Sequence, residues 1–407
     1  MLTVKNMTNV KGKRVIVRVD FNVPLKDGTI RDDNRIVAAL ETIKDLLKKE
    51  ARVILLSHLG KIKHKETPEV IEAQKKKNDL TPIAVRLSEL LNMPVKFSPD
   101  TRGANLAALV EGLQDGEVLL VQNTRYEKGE EKNDPELALE WASLADAFVM
   151  DAFGSAHRAH ASTYGIPAIL KEEGKPVAIG YLVEKEVENL SRCVEVNEKD
   201  RPYIAILGGF KISDKIKVIQ SLLGKCDKIL IGGAMAYTFQ KALGHNVGIS
   251  PVEDDQLEYA RKCLLTANGK IVLPIDSVTT DEFDPSKRKS IITTETQSIP
   301  ENMEGMDIGP KTQALFTKEI KKAKMVFWNG PMGVFEQPEF TKGTIAVCKA
   351  IADLKGAFTV CGGGDSAAAI KQFGFSEDFS HVSTGGGASL EMIENDGHLP
   401  GIDIIRK

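Results

Sequence analysis

The sequence lacks the features that mark several large classes of protein. Its five cysteines include no CxxC pair, which favours buried, reduced thiols of a cytosolic protein. No apolar run approaches the roughly 18 residues of a membrane span, and the N-terminus has no signal-peptide core. The net charge of −3 argues against a nucleic-acid or membrane-surface partner. We therefore expect a cytoplasmic protein that binds small molecules, with no nucleic acid and no membrane as partner.

The sequence motifs of three common nucleotide-binding families are also missing. No GxxxxGK[ST] occurs, so the chain is not a P-loop NTPase. No GxGxxG follows a strand with an acidic residue about 20 positions later, which weakens a dinucleotide-dependent dehydrogenase. The HRD and DFG motifs of protein kinases are absent as well.

What the sequence does contain is a repeated alternation of apolar runs and helical periods. Continuous Val/Ile/Leu runs predict strands covered on both faces, and their alternation with helices predicts βαβ units. The 407 residues exceed the roughly 250–300 of one domain. We therefore predict an α/β protein of two similar-sized lobes, each a doubly wound, mainly parallel sheet flanked by helices, with an interdomain cleft. The predicted strands are 15–21, 52–58, 117–123, 147–153, 203–209, 228–234, 270–276, 325–331 and 357–365.

The predicted domains are residues 1–175 and 176–394. A helical period at about 183–196 separates the two sets of strands, and near-equal halves favour its being an interdomain connector. The last residues, 395–407, contain a glycine and a proline and are expected to pack elsewhere as a tail.

In the first half, nearly every predicted strand is followed by a cation or a histidine. Ligands of open α/β sheets bind beyond the carboxyl ends of the strands, and arginine fits carboxylate and phosphate bidentately. Any one of these residues could be an ordinary surface charge, but together they predict a site for a small polyanion. A metal site at His157 and His160 is an alternative, disfavoured because no carboxylate or cysteine accompanies the pair. The strand-end residues are Asp20, Asn22, Arg35, His58, Gly60, Lys61, Arg125, His157, Arg158 and His160.

In the second half, the residues after the strands are mainly glycines. Glycine lets backbone N–H groups approach a phosphate closely, and a helix N-terminus adds partial positive charge, so nucleotide binding is predicted. Lys211 and Lys215 are four apart and suit phosphate oxygens. Asp365 suits Mg²⁺ held through nucleotide phosphates, and Glu336 suits a ribose.

A polyanion site and a nucleotide site together indicate phosphoryl transfer, which requires positioning and charge neutralisation more than covalent chemistry. Two other functions stay open. A dehydrogenase would need the missing dinucleotide motif and would bind NADH rather than Mg-ADP. A binding protein without turnover is disfavoured by the intact Arg35, Lys211 and Asp365.

Seven segments in the same order resemble the phosphoglycerate kinase family: RVDFNVP, SHLG, DAFGSAHRAHAS, AILGGFKISDKI, WNGPMGVFE, GGGDS and HVSTGGGASLE. The resemblance implies transfer between 1,3-bisphosphoglycerate and Mg-ADP, giving 3-phosphoglycerate and ATP in glycolysis. It implies that the phosphoglycerate is bound by Asp20, Phe21, Asn22, Arg35, His58, Leu59, Gly60, Lys61, Arg125 and Arg158. It implies that the nucleotide is bound by Lys215, Gly305, Glu336, Gly363, Gly364, Asp365 and Ser366.

The resemblance further implies that Arg35 and Lys211 stabilise the transferring group, and that Mg²⁺ is the cofactor. It implies a monomer whose hinge closes the cleft and whose tail returns to the N-terminal domain. Two residues depart from the family pattern. Lys61 stands where arginine is typical and loses the bidentate fork, for which Lys63 is a candidate substitute. Phe210 stands where a small residue is usual before Lys211, which predicts altered packing there.

Overall fold

The computed structural model describes residues 1–406 and divides them into two compact units. The first contains residues 1–188 and 398–406, and the second contains residues 189–397. The strands of the first unit are β1 (Arg14–Val19), β2 (Leu25–Lys26), β3 (Thr29–Ile30), β4 (Arg52–Leu56), β5 (Lys96–Ser98), β6 (Val118–Val121), β7 (Ala147–Asp151) and β8 (Val177–Ile179).

Six of these strands form one parallel sheet in the order β5-β6-β4-β1-β7-β8. The chain starts in the middle at β1, builds outward through β4 and later returns to the other side with β7. Such a reversal of strand order leaves a crevice at the carboxyl ends, where open α/β sheets bind ligands. The short β2–β3 hairpin stands apart as an antiparallel pair.

Helices connect these strands and cover the sheet. In the first of them, Ile36, Ala39, Ile43 and Leu46 recur at helical spacing and are buried, so one face packs on the sheet. The helices are α1 (Asn34–Lys48), α2 (Pro68–Lys77), α3 (Thr81–Leu91), α4 (Ala104–Glu111), α5 (Pro135–Ala142), α6 (Ile166–Glu172) and α7 (Tyr181–Val194). The division between the units falls inside α7.

The second unit also contains a six-stranded parallel sheet. The strands of the second unit as a whole are β9 (Tyr203–Leu207), β10 (Lys228–Ile231), β11 (Ile271–Val272), β12 (Ser277–Thr280), β13 (Ile291–Thr293), β14 (Glu304–Ile308), β15 (Met325–Asn329), β16 (Phe358–Cys361) and β17 (His381–Val382). The order is β11-β10-β9-β15-β16-β17, so the reversal lies between β9 and β15. A separate antiparallel sheet, β13-β12-β14, was not predicted from the sequence.

The helices of the second unit pack on a core that includes Trp328, Phe316 and Ile206. They are α8 (Ile216–Leu223), α9 (Met235–Ala242), α10 (Leu257–Ala267), α11 (Pro310–Ile320), α12 (Lys342–Ala352), α13 (Gly364–Gln372) and α14 (Gly387–Glu394). The predicted α/β class and the two mainly parallel sheets are confirmed.

The final helix, α15 (Pro400–Arg406), is grouped with the first unit. The Gly401 N–H donates to the carbonyl of Ala156 at 2.8 Å, and Lys171 Nζ donates to the carbonyl of Ile404 at 3.1 Å. Ile402 and Ile405 are buried. Residues 398–406 therefore complete the first unit.

A buried carboxylate supports the start of α7. Asp151 Oδ1, at the end of β7, accepts from the N–H groups of Leu182 at 3.1 Å and Val183 at 3.4 Å. Oδ2 is buried and has no hydrogen-bond partner within residues 1–406. Burial raises the pKa of Asp151 to about 7, because the apolar surroundings disfavour the charged form.

Asp151→Asn tests this coupling of charge to stability. The folded pKa lies above the unfolded value, so the contribution of Asp151 is present at low pH and is lost as the pH rises toward about 7. We expect the free energy of unfolding of the wild type, relative to the variant, to fall between pH 5 and 7. The slope is at most about 1.4 kcal/mol per pH unit. Chemical denaturation measures it, with the exposed turn variant Asp27→Asn as control. A difference independent of pH would contradict the prediction.

Candidate active site

The carboxyl ends of β1, β4 and their neighbours bring the predicted polyanion residues of the first unit together. Asp20 follows β1, and its two oxygens accept from Nη1 of Arg35 at 3.0 and 2.9 Å. Asp20 is nearly buried, whereas the Arg35 side chain is 43% exposed. The carboxylate therefore orients the guanidinium while leaving its other nitrogens available to an anion.

Asn22, Gly60 and Arg125 form a second linked set. Asn22 Oδ1 accepts from the Gly60 N–H at 2.8 Å, and Arg125 Nη1 donates to the Gly60 carbonyl at 2.5 Å. Nε of Arg125 is buried and lacks a hydrogen-bond partner within the described chain. Its closest acidic atom, Glu131 Oε1, is 3.7 Å away, too far for a hydrogen bond. Burial lowers the pKa of this arginine, which retains an unused donor for a ligand.

The loop between β4 and α2 is fixed by buried amides. Asn123 Oδ1 accepts from the Leu59 N–H at 3.1 Å, and its Nδ2 donates to the Leu59 carbonyl at 2.7 Å. The Phe21 N–H donates to Ser57 Oγ at 2.8 Å, which joins the ends of β1 and β4. The predicted residues Phe21, Leu59 and Gly60 thus shape the loops, with Phe21 and Leu59 buried.

Lys61 and Arg158 differ from the other predicted residues because both are exposed. Lys61 makes no ion pair with any described residue, and Asn78 Nδ2 donates to its carbonyl at 3.4 Å. Arg158 Nε lies 3.2 Å from Nε2 of His157. The charge of Arg158 acts on Arg125 and contributes to lowering the pKa of that guanidinium. The alternative of a metal site concerned His157 and His160. No cluster of three or more metal-ligating side chains occurs in residues 1–406. Burial lowers the pKa of His160 to about 4.

In the second unit, the predicted glycines line the crevice where the strand order reverses. Gly208 and Gly209 follow β9, Gly233 follows β10, and Gly330 follows β15. The Gly208 N–H donates to the Asn329 carbonyl at 2.8 Å, and the Gly233 N–H donates to the Met332 carbonyl at 3.1 Å. At Gly208, Gly233 and Gly330 the neighbouring backbone lies too close for a side chain to fit.

Asn329 links these turns to the predicted phosphate residues. Its Nδ2 donates to the Gly362 carbonyl at 2.8 Å, and its Oδ1 accepts from Nζ of Lys215. Ser366 Oγ, buried, accepts from the Gly330 N–H at 2.6 Å. Burial lowers the pKa of Lys215 to about 8. Nearby phosphates would favour its charged form.

A cavity of about 490 Å³ opens beside these turns and is lined largely by apolar groups. Gly305, Glu336 and Asp365, all predicted for the nucleotide, line it. Tyr237 and Met332 form part of its buried wall. The volume and the few polar groups are typical of a small-molecule site.

Two exposed aromatic side chains also line the cavity. Phe210, which departs from the family pattern, is 64% exposed, and Phe283 is 50% exposed. Phe210 therefore presents its ring to solvent and to the cavity rather than to the core, whereas the sequence predicted a change in packing.

The remaining predicted residues lie at the start of α13 or on the loop after β9. Gly363 is the N-cap residue of α13, with φ +101°, and Gly364 and Asp365 begin its first turn. Asp365 and Lys211 are both exposed. The helix N-terminus and its glycines therefore offer backbone donors to an anion, with one carboxylate beside them.

Sequence reasoning missed the buried residues that hold these side chains. Arg18, Asn123, Glu130 and Asn329 are 9% exposed or less and make several hydrogen bonds each. Arg18 and Asn329 lie within predicted strands. A charged or amide residue inside an apolar run was the available signal.

The family model for phosphoglycerate kinase matches residues 4–396 of the chain. The chain belongs to the phosphoglycerate kinase family. It is 52% identical over 401 residues to the phosphoglycerate kinase of Lactobacillus delbrueckii subsp. lactis, covering 97% of this chain and 96% of that protein. It is 52% identical over 404 residues to that of Enterococcus faecalis, covering 98% of each.

Solved structures of phosphoglycerate kinases are similar over the whole fold. The enzyme from Coxiella burnetii superposes with a TM-score of 0.86 at 38% identity, covering 100% of this chain and 98% of that one. The enzyme from Pyrococcus horikoshii gives 0.83 at 32% identity, with the same coverage. The predicted family, phosphotransferase class and glycolytic reaction are confirmed. Among the described residues, no helix has the length and apolar character to cross a membrane.

Gly233→Ala tests the close backbone approach in the phosphoglycerate kinase crevice. Gly233 has φ +68°, and an added Cβ would lie 2.6 Å from the Gly209 nitrogen. We expect the free energy of unfolding to fall by about 1–2 kcal/mol from backbone strain, plus a further loss from the clash. Gly244→Ala is the matched control, since Gly244 has φ +88° with nothing within 4 Å. Equal losses in the two variants, measured by chemical denaturation, would show that the close approach is unimportant.

Proposed function

We propose that the first unit binds 3-phosphoglycerate or 1,3-bisphosphoglycerate and the second binds Mg-ADP or Mg-ATP, with direct phosphoryl transfer between them. The carboxylate of 3-phosphoglycerate needs no general base, because it is ionised near neutral pH. The protein's task is therefore to position two polyanions and to neutralise the charge that spreads over the transferring group.

The phosphoglycerate is bound by the basic residues at the strand ends of the first unit. The observation that supports this most is the pair of ready donors on Arg35 and Arg125: Arg35 is oriented through Nη1 alone, and buried Arg125 keeps Nε unused. His58 contacts the phosphoglycerate directly, and Asp20, Asn22 and the Gly60 loop hold the geometry. Lys61 and Arg158 are exposed and approach the ligand from solvent.

The nucleotide is bound in the cavity of the second unit. Its phosphates lie at the N-terminus of α13, against the backbone of Gly363 and Gly364 and the ammonium of Lys215. Glu336 accepts from the ribose, and the base occupies the apolar part of the cavity beside Gly305.

Mg²⁺ is held by Asp365 and the nucleotide phosphates. An exposed carboxylate in the first turn of α13 fits this role, since Mg²⁺ usually takes one or two protein carboxylates plus phosphates and water. When bound, the ion would neutralise phosphate charge. Arg35 and Lys211 provide the remaining positive charge at the transferring group.

We further propose that the enzyme acts as a cytoplasmic monomer.

A coupled assay of ATP formation from 1,3-bisphosphoglycerate and ADP, with and without Mg²⁺, tests this assignment. The expected result is turnover that requires Mg²⁺. Equal turnover with and without Mg²⁺ would contradict the proposed role of the ion.

Lys211→Ala tests the role of the exposed lysine. Since Lys211 is proposed to stabilise charge that develops during transfer, kcat should fall by about 10²–10³-fold, with little change in the Kd of ADP. Steady-state kinetics and calorimetry measure the two quantities. Lys318→Ala, which removes an exposed lysine of α11, is the control. An unchanged kcat would remove Lys211 from the mechanism.

Arg158→Ala tests the division of ligands between the units. Loss of a charge-assisted hydrogen bond of about 1.5–3 kcal/mol would raise the KM for 3-phosphoglycerate roughly 10–100-fold. The Kd of ADP should stay within about twofold. Arg102→Ala, which breaks a surface ion pair with Glu140, serves as control. A loss of ADP affinity in the Arg158 variant would show that the assignment of the units is wrong.

A further inference from the structure

A buried arginine lies behind the proposed substrate residue His58. Arg18 is 1% exposed, and each of its three nitrogens has a partner. Nε donates to Ser162 Oγ at 2.7 Å, Nη1 donates to the Val19 carbonyl at 2.5 Å, and Nη2 is 3.0 Å from Nδ1 of His58. A charged side chain so deeply buried needs both hydrogen bonds and a counter-charge.

Glu130 provides that counter-charge through Ser162. The Ser162 hydroxyl accepts from Arg18 and donates to Glu130 Oε2 at 2.7 Å, while its N–H donates to Oε1 at 2.8 Å. Glu130 is completely buried. The three side chains therefore form one fixed network in which the guanidinium cannot readily turn.

This network determines which nitrogen of His58 carries the proton. A guanidinium has donors only, so Nδ1 of His58 must be the acceptor and cannot carry hydrogen. A protonated imidazolium would place its Nδ1–H against the Nη2–H of Arg18, so that two donors would face each other. The neutral ring therefore has its proton on Nε2.

The surroundings of the ring favour the same form. Burial and the charge of Arg18 keep the pKa of His58 well below its usual value. The other charged or titratable groups that act on the ring are Arg125, Arg35 and His160, and each also lowers the pKa. Nε2 has no hydrogen-bond partner among residues 1–406, and the ring is 6% exposed.

We propose that Arg18 is a positioning residue: with Ser162 and Glu130 it holds His58 as a neutral Nε2–H donor to an oxygen of phosphoglycerate. This inference rests on the proposed role of His58 as a substrate contact. The histidine then contributes an oriented, neutral hydrogen-bond donor to the substrate rather than a positive charge. Its hydrogen bond to substrate stays the same from pH 5 to 8.

Imidazole ¹⁵N NMR of the wild type tests the tautomer without any change to Arg18. The His58 signals are assigned by their loss in His58→Gln. We expect Nδ1 to be of the pyridine type and Nε2 of the pyrrole type, with no titration between pH 5 and 8. Protonated Nδ1, or titration near the ordinary histidine pKa, would overturn the proposal.

Arg18→Gln tests whether the arginine causes this state. The amide oxygen of glutamine can accept from Nδ1–H, so both tautomers and the imidazolium become accessible. We expect His58 to titrate at higher pH than in the wild type. The variant-to-wild-type ratio of KM for 3-phosphoglycerate should rise from pH 6 to pH 8, as the fraction with Nε2–H falls. Because the ratio compares the same substrate at the same pH, titration of the substrate itself cancels. The KM for ADP should not show the same pH dependence.

Two further variants control for structural damage. Arg14→Gln, on the same strand, breaks the ion pair with Asp146 and should leave the His58 spectrum unchanged. Arg18→Lys keeps the charge that balances Glu130 but cannot reach all three acceptors, so it should fold and still yield mixed His58 tautomers. A wild-type His58 spectrum in both Arg18 variants would overturn the proposal.

Addition of 3-phosphoglycerate to the wild type tests two assignments separately: that the first unit binds phosphoglycerate, and that His58 contacts it. We expect the Nε2 resonance to shift on binding while Nδ1 stays nearly constant. If the ligand binds but Nε2 does not respond, His58 is not the proposed contact and the positioning role of Arg18 is overturned with it. The shift of other signals would still report phosphoglycerate binding to the first unit.

Discussion

Parallel strands oblige this protein to place its chemistry at one edge of each sheet. All six strands of each main sheet run in the same direction, so their carboxyl ends and following loops share that edge. The reversal of strand order then separates neighbouring connections and leaves room for a ligand. In the first unit this edge carries basic side chains, and in the second it carries backbone N–H groups next to a helix N-terminus. The same topology therefore supports two kinds of anion binding.

Much of this arrangement could be predicted from the sequence because the buried strands are unusually regular. The runs that became β1, β4, β9 and β15 are mainly apolar, and their last residues mark the functional edge. The β13-β12-β14 sheet could not be predicted in the same way. Its strands are short, β13 is exposed along its whole length, and a register shift interrupts β12 at Val278 and Thr279.

The residues proposed to contact ligands could be predicted from the sequence. The buried residues that fix the positions of those side chains mostly could not. Arg35, Arg125 and Lys215 follow strands, where position alone indicated function. Arg18 and Asn329 lie inside strands, and their importance depends on partners far away in sequence, such as Ser162 and Gly362. Such pairings depend on the three-dimensional packing of separate βαβ units, which periodicity does not specify. The cavity that Phe210 lines is likewise formed by residues distant in sequence.

The position of α15 has a consequence for how the protein is made. Residues 398–406 complete the first unit, yet they follow the whole of the second unit in the chain. During synthesis at about 5–20 residues per second, the early domain ordinarily folds before the later one emerges. Here the surface around Ala156 and Lys171 stays uncovered until translation has passed the second unit. Completion of the first unit is thereby delayed until the second unit has been synthesised.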